Sequence, residues 1–94
     1  MSDAASRASR IRAALEAAFP GVELELVDES HLHRGHAGAR EGKGHFRLAI
    51  TSDVFAGKLP LARHRAVFAA LGSLMETDIH ALAIDARTPQ ERGR

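Results

Sequence analysis

Four of the six histidines fall between Ser30 and Phe46, in the stretch SHLHRGHAGAREGKGHF. Imidazole titrates near neutral pH and is a common metal ligand, so this stretch could ligate a metal or cluster, contact a polar partner, or serve as a solvated connector. His31, His33 and His36 could converge on one ion, but a zinc site needs about four ligands, each oriented by further hydrogen bonds. A long connector holds such a set poorly. The other histidines stand in more regular sequence. His80 lies in the apolar run IHALAIDA and shares its alternation with Leu82 and Ile84, a face on which an imidazole, if buried, requires a partner. Two readings stay open for it, a hydrogen-bonded structural histidine and a rigidly mounted ligand. His64 precedes Val67, Phe68 and Leu71 at helical spacing and is expected to pack in the core. His45 alternates away from Phe46, Leu48 and Ile50 and is expected to point outward.

Other chemistry finds little support. The chain has no cysteine, which excludes thiol nucleophiles, disulfides and thiolate ligands of its own. There is no G-x-S-x-G elbow, Walker loop or dinucleotide fingerprint, so an enzyme is not expected. Gly35-His36-Ala37-Gly38 fits the G-x-x-G backbone clamp of nucleic-acid-binding KH domains, but it lies between strands without flanking helices and reads as coincidence. A net charge of +1 gives no bulk attraction for nucleic acid. A local basic patch could still form from Lys58, Arg63 and Arg65, with Arg47 and Arg87 as neighbours. No apolar run reaches the roughly twenty residues that cross a bilayer, and the N-terminus lacks a secretory apolar core. The expectation is a soluble cytoplasmic protein with no membrane partner.

These residues must be held by a small number of elements. Ala4, Ala8, Ile11, Leu15, Ala18 and Phe19 share one arc of a helix over Asp3–Phe19, which Pro20-Gly21 stops. VELELVDE, Val22 to Glu29, alternates as a first strand, and HFRLAIT, His45 to Thr51, as a second. Pro60 suits the first turn of a helix, expected to run through Glu76 with His64, Val67, Phe68, Leu71, Leu74 and Met75 inward. Ile79 to Ala86 reads as a third strand. One domain over residues 1–94 is expected, with frayed ends at about 1–3 and 89–94. The order helix, strand, strand, helix, strand implies an α+β domain. The first two strands pair as an antiparallel hairpin and the crossover helix makes the third parallel, giving a three-stranded mixed sheet covered by helices on one face.

The segment VFAGKLPLARHRAVFAAL, followed by IHALAI and ARTP, and the earlier DESHLHRGH with GHF, resembles the BolA family from about Ile11 to Pro89. The resemblance implies a class II KH-like fold. It also implies partnership with a monothiol glutaredoxin around a [2Fe–2S] cluster, shared with glutathione and not held by this chain alone. The chain by itself would be a monomer or weak homodimer. The implied ligands are the strand histidine, His80, and a loop histidine. Counting back without a gap from His45-Phe46 gives His36, with His33 and then His31 ranked behind it. Imidazole can replace thiolate on one iron of such a cluster. The family also includes DNA-binding regulators of stress and morphology genes, an alternative that would use Lys58, Arg63 and Arg65. After RTP this chain carries QERGR, where many relatives have an aromatic residue.

Overall fold

The computed structural model describes residues 3–30 and 44–93. Helix α1 (Asp3–Ala18) leads into strand β1 (Glu23–Asp28). Strand β2 (Gly44–Thr51) is followed by a 3-10 turn at Asp53–Phe55 and by helix α2 (Pro60–Leu71). A one-turn helix α3 (Leu74–Thr77), strand β3 (Ile79–Arg87) and a final turn α4 (Pro89–Arg92) complete the chain.

The sheet has the order β1-β2-β3, with β1 antiparallel and β3 parallel to β2. A parallel neighbour cannot be reached by a tight turn, and the α2–α3 crossover supplies the necessary length. Central β2 sends Phe46, Leu48 and Ile50 into the core, where they meet Ile11 and Leu15 of α1, Phe19 just after it, Phe55 of the 3-10 turn, Val67 and Leu71 of α2, and Ile79. The alternate residues Glu23, Glu25 and Val27 of β1, Arg47 of β2, and Ala81, Ala83 and Asp85 of β3 are exposed on the sheet's other face. The expected mixed sheet with helices on one face is therefore present. Among the described residues, no helix is long and apolar enough to cross a membrane.

Two expectations about the helices need correction. The crossover helix does not run to Glu76. Gly72 takes φ 53°, a region other residues avoid, and its N–H closes α2 on the Phe68 carbonyl at 3.0 Å. The chain then restarts as α3 and turns into β3. The inner arc of α2 is also rotated from the expected one. Val67 and Leu71 are buried and Ala66 and Ala70 pack against the core, whereas Phe68 is 40% exposed and His64 half-buried. After β3, Pro89–Arg92 form the helical turn α4. Thr88 Oγ1 accepts from the Glu91 N–H at 3.3 Å and Glu91 Oε1 accepts from the Thr88 N–H at 2.9 Å, a reciprocal capping box. Pro89 here starts a helical turn rather than merely ending a strand.

Candidate functional site

The start of β3 departs from regular pairing. Gly44 is opposite Ile79 and His45 opposite Ala81, so His80 has no counterpart in β2. In an uninterrupted strand Ile79 and Leu82 would lie on opposite faces. The extra residue lets both turn toward the core, with Ile79 only 2% exposed and Leu82 packed against it, and leaves His80 and Ala81 exposed between them. His80 thus does not follow Leu82 and Ile84 inward as its alternation predicts. Its ring instead lies beside that of His45, with centroids 5.0 Å apart and planes tilted by 51°. His45 does alternate away from the core residues of β2, yet it is buried, at 6% exposure, rather than presented to solvent.

Several elements hold this histidine pair in place. The His45 N–H donates to Ser30 Oγ at 3.1 Å, and its carbonyl accepts from the Glu29 N–H at 2.8 Å. The Ser30 N–H in turn donates to Asp28 Oδ1 at 2.9 Å. The Gly44 N–H donates to the Asp78 carbonyl at 2.9 Å, tying the start of β2 to the residue before β3. A side chain at Gly44 would collide, since a Cβ there would stand 2.6 Å from the Phe46 ring and 2.9 Å from Ser30 Oγ. Asp78 is itself buried and receives hydrogen bonds from Thr77 Oγ1 at 2.5 Å and from the Arg10 guanidinium. Burial works to raise the Asp78 pKa, but the hydrogen bonds from Thr77 and Arg10 and the nearby positive charge outweigh it and hold the carboxyl below its usual range. Through this pair α1 anchors the approach to β3. Neither Asp78 nor Ser30 stands out in the sequence, although the glycine directly before His45 is a signal of close packing.

The other candidate residues lie elsewhere. His31, His33 and His36 fall outside the described residues. Among the described residues, no three histidine or carboxylate side chains gather as a metal-binding group. His64 lies at the far end of β3, lining a groove with Pro60, Ile84 and Ala86, and does not join His45 and His80. Lys58 and Arg65 are exposed. Arg63 is engaged as a brace, with its side chain only 12% exposed. Its two terminal nitrogens donate to Glu91 at 2.6 and 3.0 Å, and it also donates to the carbonyls of Ala86 and Lys58 at 3.0 and 2.8 Å. The hydrogen bonds from Arg63, then the backbone N–H of Thr88, lower the Glu91 pKa to about 2. Arg47 and Arg87 are paired with Glu29 and Asp85 at 3.1 and 2.9 Å. Arg63 is therefore not available to a phosphate in the way the alternative reading expects, which leaves Lys58 and Arg65.

A family profile described as BolA-like protein matches residues 15–91. The chain belongs to the BolA-like family. It is 44% identical over 91 residues to SufE-like protein 1, chloroplastic/mitochondrial, of Arabidopsis thaliana, a match covering 92% of this chain and 24% of that protein. It is 42% identical over 82 residues to the DNA-binding transcriptional regulator BolA of Escherichia coli (strain K12), covering 87% and 75% of the two chains. The solved BolA domain of SufE1 from Arabidopsis thaliana superimposes with a TM-score of 0.80 at 44% identity, covering 92% of this chain and 95% of that one. This chain thus spans about a quarter of the SufE-like relative's length. The fold expected from the resemblance is the fold observed. Relatives' names refer to chloroplast and mitochondrion, so family membership does not fix the cytoplasmic location expected from the sequence.

Proposed function

We propose that this chain is a non-enzymatic partner of a monothiol glutaredoxin and supplies imidazole ligands to a [2Fe–2S] cluster shared with that partner and glutathione. The end point would be iron–sulfur assembly and trafficking or iron regulation. One observation carries the reading: His80 is mounted on a sheet strand yet turned out of the core, so its ring is accessible to an iron bound by a second chain. A histidine buried with Leu82 could not be shared in this way. The donor chemistry also fits. Imidazoles can replace thiolates on one iron, and a chain without cysteine must leave the thiolates to its partner and glutathione. The second imidazole would come from the loop, His36 first, with His33 and His31 behind it.

Reconstitution with iron, sulfide, glutathione and a monothiol glutaredoxin from the same cell tests this. The complex should show visible absorption and circular dichroism distinct from those of the glutaredoxin alone, and His80→Ala should abolish that difference while leaving the free fold intact. A mixed-complex spectrum unchanged by His80→Ala would overturn the assignment.

A second reading is favoured by the naming of the Escherichia coli relative as a DNA-binding transcriptional regulator and by the exposure of Lys58 and Arg65 at the start of α2. Phosphate contacts there would make DNA binding salt-dependent and sensitive to Lys58→Ala and Arg65→Ala. Binding that ignores both substitutions would remove this reading.

A further inference from the structure

We infer that His45 is a positioning residue for His80, its buried ring forming the platform against which the exposed imidazole is oriented. This inference rests on the reading of His80 as a cluster ligand. His80 stands at the register shift, where it has no directly paired residue in β2. Its chain neighbours give its ring little restraint, because Ile79 turns into the core and Ala81 ends at a methyl group. The ring contact it does make is with His45.

His45 is fixed in a way His80 is not. Its N–H and carbonyl are both hydrogen-bonded, to Ser30 and Glu29, and the neighbouring Phe46 is locked in the core. Burial keeps His45 from reaching an iron on another chain, but its face can limit the rotamers open to His80. A ligand already oriented loses less freedom when it binds, and loss of groups that orient a metal ligand typically weakens metal binding about 10- to 100-fold.

The test compares wild type, His45→Phe, His45→Ala and His80→Ala in the reconstituted mixed complex. The readouts are nitrogen hyperfine coupling in electron paramagnetic resonance of the reduced cluster and the rate of cluster loss to a chelator, with thermal unfolding recorded for each free protein. His45→Phe, which keeps a flat ring, should retain the wild-type coupling and loss rate. His45→Ala should broaden the coupling and speed cluster loss about tenfold. If His45→Ala does not fold, His45→Leu takes its place, since leucine fills the space without a flat ring and should show the same two effects. Wild-type behaviour of the ring-less variant would overturn the inference, and so would a His45→Phe complex as impaired as the ring-less one. A His80→Ala complex with an unchanged spectrum would instead sink the cluster reading itself, so the two failures are distinguishable.

Discussion

At the scale of single residues, the histidine end depends on a glycine as much as on its imidazoles. Gly44 brings β2 within reach of both Ser30 and Asp78, and a methyl group there would press on the Phe46 ring at 2.6 Å. The ring belongs to a buried core residue and cannot move aside without disturbing its neighbours. Gly44→Ala should therefore destabilise the fold by about 1–3 kcal/mol, the usual cost of overpacking, and shift the ring resonances of His45 and His80. Urea unfolding followed with the imidazole NMR signals checks both effects. An unchanged midpoint with unmoved signals would mean that the start of β2 is looser than its contacts imply.

At the scale of elements, α4 is held by side chains more than by its own single turn, which is far too short to be stable alone. The Arg63–Glu91 pair and the Thr88 capping box fasten it to α2 and β3. Because the folded-state pKa of Glu91 is depressed, the stability it contributes is fully present above the ordinary carboxylate value of 4.5 and is lost as pH falls toward about 2. Glu91→Gln should thus be less stable than wild type at pH 7, and the difference should close between those two pH values. Paired urea melts at neutral and acid pH measure it, and a gap that persisted below pH 2 would show that charge is not what Glu91 contributes. Asp78 and Asp85 change in the same direction, burial opposing but hydrogen bonds from Thr77 and Arg10, and from Arg92 and Arg87, prevailing. Acid should accordingly loosen α1 and α4 from the two ends of β3.

At the scale of the whole molecule, the two candidate surfaces sit at opposite ends of one strand. His80 lies near the start of β3, whereas Arg63 at the start of α2 is bound to Ala86 near its finish. At about 3.3 Å per residue the separation is roughly 20 Å. Changes at one end should leave the other working. Lys58→Glu combined with Arg65→Glu should abolish salt-dependent DNA binding yet preserve the mixed-cluster spectrum with the glutaredoxin. Loss of the cluster in that double variant would show that the partner reaches across the whole sheet edge.

Much of this was legible from the residues alone. The period-two runs of β1 and β2 and the apolar arc of α1 specify their elements locally, because each must bury one face. The intervening helix then requires β3 to run parallel, and with the motifs that resemble the BolA family this determined the fold. His80 stood out as a polar residue in an apolar strand, but which way it faced depended on a register shift. That shift arises only when β2 and β3 pair and Ile79 competes with Leu82 for the same core. The bracing of Arg63 by Glu91 and of Asp78 by Arg10 joins residues 28 and 68 positions apart, and no local pattern encodes such contacts. The sequence by itself determined the three strands, the first helix and the start of the crossover helix, and which histidines could do chemistry. Only the tertiary structure decided which imidazole is exposed, which is buried behind it, and which arginine is already occupied.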